Sequence, residues 1–160
     1  MQKYVIVYFI DRKSVPDEFL ASEWPLHITL LANFTISNPI ESLTDKLRDL
    51  SKKIKPIATN VLGEDMFGLN KDVAVSLIKQ NNELIKLHEN LIAITKSLGA
   101  EYDEPKFLGE GFRPHSTIQM KSRLHEGQDI NIDSFTLVDM FPDKDKTGRR
   151  IIEDFSLDSN

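Results

Sequence analysis

Two short strings of the chain repeat one arrangement: Pro25-Leu26-His27-Ile28-Thr29-Leu30 and Pro114-His115-Ser116-Thr117-Ile118. Each sets a histidine two residues before a threonine, with an aliphatic residue next, inside a strand-like run. Residues i and i+2 of a strand project from one face of a sheet. Each string therefore offers an imidazole and a hydroxyl side by side, and together they use two of the four histidines. An imidazole with a pKa of about 6.5 serves as acid or base near neutrality. Phosphodiester cleavage takes one group to deprotonate the attacking oxygen and another to protonate the leaving oxygen, each worth about 10²–10⁴ in rate. Threonine hydroxyls supply donors to the non-bridging oxygens, at roughly 1.5–3 kcal/mol per hydrogen bond to a charged group. Two such pairs facing each other are equipment for phosphodiester chemistry without a metal.

A single His-x-Thr on a strand is ordinarily a surface or core pair, so the weight rests on the repetition. The alternation around each copy adds to it. In residues 26–34, His27, Thr29, Leu31 and Asn33 share one face, and Leu26, Ile28, Leu30 and Ala32 the other. Leu31 on the histidine face suggests a cleft wall. In the second string Arg113, His115, Thr117, Gln119 and Lys121 form an entirely polar face, which suits a phosphate-reading surface. Arg113 and Gln119 are thus candidate substrate contacts, and Trp24, Phe67 and Phe112 are aromatic side chains able to stack a base. His88, beside the apolar face of a helix, and His125, in a polar loop, are assigned structural or surface roles. Gly109-Glu110-Gly111 precedes a strand rather than opening a helix, so it is no dinucleotide signature. Asp143 and Asp145 lack a calcium loop around them. No metal ligand set and no cofactor motif is identified.

The elements that must position these residues follow from periodicity. Residues 4–10 (YVIVYFI) form a continuous apolar run, which predicts a central strand. Residues 11–23 contain Pro16 and are assigned to a loop or turn, and residues 26–34 to the first motif strand. Asn38-Pro39-Ile40-Glu41 offers an N-cap residue, a proline at the first helical position and a glutamate three after the cap. Leu43, Leu47, Leu50 and Ile54 then give that helix an apolar face, and Pro56 ends it. Strands are predicted at 57–62 and 73–79. A second helix begins after Asn81-Asn82, carries Leu84, Leu87, Leu91, Ile94 and Leu98, and stops at Gly99. Residues 101–111 form a charged loop, 112–121 the second motif strand, and 132–141 and 150–157 closing strands joined by a turn at 142–148. The order is α+β, and two copies of strands, one helix and one motif strand suggest a duplicated β-α-β unit.

Length and composition frame these expectations. A chain of 160 residues predicts one domain over 1–160, and 40% hydrophobic with 28% charged residues is globular rather than disordered. A formal charge of −5 argues against coating long nucleic acid, while leaving room for a pocket that takes a nucleotide or an RNA end. There is no cysteine, hence no disulfide or thiolate chemistry. The apolar run at 4–10 is too short for a membrane span and lacks a cleavage site, so a cytoplasmic protein without membrane contact is expected. A monomer is also expected.

The paired strings resemble the motifs of the two-histidine (2H) phosphoesterase superfamily, which includes bacterial 2′-5′ RNA ligase-like proteins and cyclic phosphodiesterases. Phe112-Arg113-Pro114-His115-Ser116-Thr117-Ile118 is similar to the family's second motif. Phe67-Gly68 ahead of a strand and the final hairpin with Pro142, Gly148 and Phe155-Ser156-Leu157 also resemble it. Trp24-Pro25 and the acidic stretch 101–110 match no particular subfamily. The resemblance implies a bilobal fold whose antiparallel sheets line a central cleft, with the two main helices outside. It implies catalytic roles for His27 and His115, phosphate binding by Thr29 and Thr117, and a nucleotide or RNA-end substrate. The expected reaction is opening of a 2′,3′-cyclic phosphate. Alternatives are 2′-5′ ligation, hydrolysis of a cyclic oligonucleotide, and nucleotide binding without turnover.

Overall fold

The computed structural model describes residues 2–119 and 122–158. In chain order it contains β1 (Tyr4–Phe9), β2 (Glu18–Leu20), β3 (His27–Thr35), α1 (Ile40–Ser51), β4 (Ile57–Phe67), β5 (Val73–Ile78), α2 (Asn82–Ser97), β6 (Glu101–Tyr102), β7 (His115–Thr117), β8 (Asp129–Ile132), β9 (Ser134–Asp139) and β10 (Gly148–Ser156). The architecture is α+β, with two antiparallel sheets in the orders β2-β10-β9-β1-β3-β6 and β7-β5-β4-β8. The lobes are thus unequal in strand number. β1 lies between β9 and β3, as its unbroken apolar run requires. Its Ile6 packs into the main core, while Val5, Val7 and Phe9 pack on the other face with Val15, Val138 and Met140. Burial on both faces removes the alternation that a half-exposed strand shows.

Both helices form where the apolar spacing places them. α1 buries Leu43 and Leu47, and α2 buries Leu84, Leu87 and Leu91 in the same core. The α2 cap is as expected: the Asn81 side chain accepts from the Leu84 N–H at 2.8 Å. At the other end Gly99 sits at φ 76° and the Ala100 N–H reaches back to the Thr95 carbonyl at 3.1 Å, closing the helix in a Schellman turn. The start of α1 differs from the capping pattern. Pro39, with ψ 150°, is the cap residue, and no side chain caps the helix. The Asn38 N–H is directed instead to the Leu98 carbonyl at the end of α2.

Several strands depart from expectation. β4 continues to Phe67 rather than ending at residue 62, because its second half forms a hairpin with β5 and has no continuous apolar face to reveal it. The predicted strand over 132–141 is two strands: β8 joins the four-stranded sheet and β9 the six-stranded one, with Asp133 between them. The short edge strands β2 and β6 lie in segments assigned to loops. β7 spans three residues, and Lys121, placed on its polar face by alternation, lies outside the described residues.

The two motif strands are set alike against their neighbours. On β3, His27 stands opposite Phe9 and Thr29 opposite Val7; on β7, His115 stands opposite Leu77 and Thr117 opposite Val75. β3 and β7 touch, although they belong to different sheets. One irregularity lies next to the first motif. Val7 pairs with Thr29 but Ile6 with Leu31, so Leu30 is an extra residue bulged out of the ladder. Leu30 and Leu31 are both fully buried. Leu31 therefore belongs to the core, not to the cleft wall that plain alternation predicts.

Candidate active site

Both motif histidines are held in the same way. The Nδ1 of His27 lies 2.8 Å from the Pro25 carbonyl, and the Nδ1 of His115 lies 2.7 Å from the Arg113 carbonyl. A carbonyl only accepts, so each Nδ1 carries the proton and donates it. Each Nε2 then keeps its lone pair for a proton from elsewhere. Pro25 and Arg113 stand two residues before their histidines, which makes the tether a local property of the extended chain entering each strand. Each imidazole also rests on an aromatic ring: Trp24 lies 4.6 Å from His27 and Phe67 lies 4.6 Å from His115, centroid to centroid.

The electrostatics of the two sites are coupled. Burial pushes the His27 imidazole below its ordinary pKa; its bond to Pro25 opposes this, and positive charge on His115 adds to it. Burial likewise lowers His115, opposed by the Arg113 carbonyl and assisted by the Arg113 guanidinium. The free protein thus favours neutral rings at both positions, and an anion placed beside either ring would favour its protonation. Among the described residues, neither the Thr29 nor the Thr117 hydroxyl has a side-chain hydrogen bond, so both are available as donors.

The remaining sequence candidates fall into two groups. Trp24 and Phe67 support the imidazoles. Arg113, Gln119 and Phe112 are committed to protein partners. The Arg113 guanidinium donates to Asp65 at 3.0 Å and lies 4.7 Å over the Phe67 ring. Gln119 donates its amide to the Trp24 carbonyl at 2.6 Å, linking the chain after the second motif to the chain before the first. Phe112 is buried and stacks on His88, with ring centroids 3.9 Å apart. Thr29, Arg113 and His115 line one cavity of about 690 Å³ with Met66, Phe67, Leu69, Lys71, His88, Lys106 and Phe107, whereas His27 and Thr117 do not line it. Leu69 is fully exposed at its mouth, an apolar side chain in a turn that hydropathy alone assigns no role. A cavity of about 740 Å³ against Lys3, Thr35 and Phe141 contains neither motif.

Comparison with known proteins identifies the family. The model of the 2′-5′ RNA ligase superfamily matches residues 11–132, a span that includes both motifs. The chain belongs to this superfamily. Its fold is shared with a protein of Thermus thermophilus (TM-score 0.63, 19% identity, 100% of both chains). It is also shared with E. coli LigT complexed with 3′-AMP (TM-score 0.64, 14% identity, 98% of each chain). A Bacillus licheniformis protein named as a candidate phosphoesterase is 29% identical over 107 residues, covering 66% of this chain. The match spans 59% of that relative's length. As a 2′-5′ RNA ligase superfamily member, the protein carries its two motifs on β3 and β7, which touch across the two sheets. Among the described residues no helix is long and apolar enough to cross a membrane, and no three His, Asp or Glu side chains are grouped as metal ligands.

Proposed function

We propose that the protein is a phosphodiesterase that opens 2′,3′-cyclic phosphates on nucleotides or RNA ends. His27 and His115 act as the general base and general acid, and Thr29 and Thr117 bind the phosphate. The observation that carries this reading is the matched tether of the two motif imidazoles, Nδ1 to the carbonyl two residues upstream, which frees both Nε2 atoms. One Nε2 takes a proton from water as its oxygen bonds to phosphorus. The bond from phosphorus to one ribose oxygen breaks, and that oxygen takes the proton held on the other Nε2. The product is a nucleoside 2′- or 3′-monophosphate. The threonine hydroxyls donate to the non-bridging oxygens, whose charge grows as water attacks. The cavity beside His115, with Phe67, Met66, Leu69 and Phe107 on its walls and Lys71 and Lys106 at its edge, suits a nucleobase and its polar rim. That E. coli LigT, which shares the fold, crystallised with 3′-AMP and with phosphate supports a nucleotide ligand for this protein.

The test is turnover of purified protein on 2′,3′-cyclic mononucleotides, cyclic-phosphate RNA ends and cyclic dinucleotides, with products resolved by chromatography. His27→Asn and His115→Asn keep a donor near the Nδ1 position and remove Nε2. Each is expected to lower kcat by about 10²–10⁴ with an unchanged circular dichroism spectrum. Turnover within threefold of the parent in either variant refutes the assignment. A joined 2′-5′ product from a cyclic end and a 5′-hydroxyl would replace hydrolysis by ligation.

A further inference from the structure

His88 stands midway along α2, at the spacing of the buried leucines, and is only 3% exposed. Both of its ring nitrogens are occupied. Nδ1 lies 2.8 Å from the Leu30 carbonyl on β3, and Nε2 accepts the Gly109 N–H at 3.1 Å. Leu30 is the bulged residue directly after Thr29, and the outer neighbour of β3, β6, pairs only with Phe34 and Thr35. The Leu30 carbonyl therefore faces no strand on that side, and a buried carbonyl left without a partner is destabilising. Gly109 begins the turn that leads through Phe112 and Arg113 into His115. This turn is tight: a Cβ on Gly111 would lie 1.7 Å from the Lys106 carbonyl oxygen. The His88 ring also stacks on Phe112 at an interplanar angle of 7°. One side chain thus touches the residue after Thr29 and the segment before His115.

We propose that His88 is a positioning residue that sets the separation of the two motif strands through this neutral-imidazole bridge. Its ring borders the cavity beside His115 but both nitrogens are engaged within the protein, so it reaches no reacting atom in the proposed reaction and acts through Thr29 and His115. The bridge requires one tautomer, because Leu30 offers only an acceptor and Gly109 only a donor. Two-sided bonding with ring stacking leaves the β3 bulge and the 109–112 turn no independent freedom. The value for catalysis follows from alignment, since a misplacement of about 1 Å costs on the order of 10²-fold in rate. The inference rests on the proposed function only for its effect on turnover; the bridge itself is a structural claim.

The chain contains no cysteine, so spin labels can be placed cleanly at Lys13→Cys and Leu62→Cys, both exposed and one in each lobe. In this background His88→Phe keeps a flat ring beside Phe112 but removes both hydrogen bonds. The expected result is a broadened inter-lobe distance distribution and a kcat on 2′,3′-cyclic AMP at least tenfold lower, with KM changed less than threefold. Long-range 1H–15N spectra of the parent protein should show His88 neutral with its proton on Nδ1. An unchanged distance distribution with kcat within twofold, or the proton on Nε2, overturns the proposal. If His88→Phe fails to fold, His88→Gln decides: its amide supplies one donor and one acceptor, and a narrow distribution supports the bridge while a broad one refutes it. If the parent protein opens no cyclic phosphate, the proposed function fails, and the distance distribution and tautomer still decide the role of His88.

Discussion

Replacing Arg113 by Gln should raise the pKa of His115, and the geometry sets a least size for the interaction removed. The guanidinium lies 4.7 Å from the Phe67 centroid and that ring 4.6 Å from His115, so the two charges are no more than about 9 Å apart. At that greatest separation Coulomb's law gives at least about 0.5 kcal/mol in water and at least about 1.8 kcal/mol at an effective dielectric of about 20. Arg113 is more than half exposed, and ionic screening over a Debye length of about 8 Å favours the lower of these figures. Loss of the cation also leaves the Asp65 carboxylate without its arginine, which pushes in the same direction. A rise is therefore expected in 0.15 M salt, and it should grow as the salt is lowered.

The measurement is an NMR titration of the His115 ring, assigned by the resonance lost in His115→Asn, in Arg113→Gln and in Arg113→Lys. The lysine variant keeps the charge and should titrate close to the parent. His27 should move less than His115, because Arg113 is not among the charges that shift it. The pH profile of kcat/KM then gives the role of His115: the basic limb reports the acid and the acidic limb the base, so the limb that moves with Arg113→Gln belongs to His115. An unchanged or lowered His115 pKa in Arg113→Gln refutes the electrostatic reasoning, whatever the turnover.

Two further outcomes follow from burial and backbone geometry. Burial leads in lowering the pKa of His27, His88 and His115, so the folded state binds fewer protons than the unfolded chain below its value of about 6.5. The stability these neutral rings contribute is complete above about pH 6.5 and is lost as pH falls through their folded values, by at most about 1.4 kcal/mol per pH unit per ring. Asp65, Asp143, Asp145 and Asp154, whose pKa values are lowered, add a second loss only below about pH 4. Urea titrations at pH 7.5, 6.0 and 5.0 should show falling stability, and a flat profile down to pH 5 contradicts the burial argument. Gly99→Ala places a β-carbon at φ 76° and 2.0 Å from the Ser37 Oγ, which also donates to the Gly99 carbonyl. The left-handed conformation costs about 1–2 kcal/mol and displacing Ser37 about 1 kcal/mol more. A drop in Tm of roughly 4–10 °C with unchanged turnover at 25 °C is expected, and a Tm within 1 °C of the parent refutes it.

What was legible in the sequence had local causes. The His-x-Thr strings, the apolar run of β1, the leucine faces of both helices, the Asn81 cap and the Gly99 stop all depend on residues within a turn or two. What was hidden depends on remote partners. Nothing in residues 129–141 marks Asp133 as the place where the chain leaves one sheet for the other, since β8 and β9 have the same strand character. β2 and β6 are two or three residues long, too short for any period. The Leu30 bulge depends on how β1 pairs with β3, which the alternation of β3 alone does not encode. His88 is the instructive case. Its position, four after Leu84 and three before Leu91, places it inside the apolar face, and a histidine there must find partners for two nitrogens. The sequence states that requirement, and only the fold names Leu30 and Gly109.

The arginines bear on what kind of anion the proposed site would take. Arg12, Arg48, Arg113, Arg123 and Arg150 each pair with a carboxylate, and Arg149 donates to the Met140, Lys146 and Gly148 carbonyls beside Trp24. Such engaged guanidinium groups build no continuous basic track, and the net charge of −5 repels a long polyanion. On the proposed reading, the scissile phosphate is met by two hydroxyls and two imidazoles instead. These groups bind a ground-state monoanion weakly. They gain strength as one imidazole takes a proton and charge builds on the non-bridging oxygens, which concentrates their effect in the transition state. A site built this way suits a small cyclic phosphate or a single RNA end better than a strand held along its length.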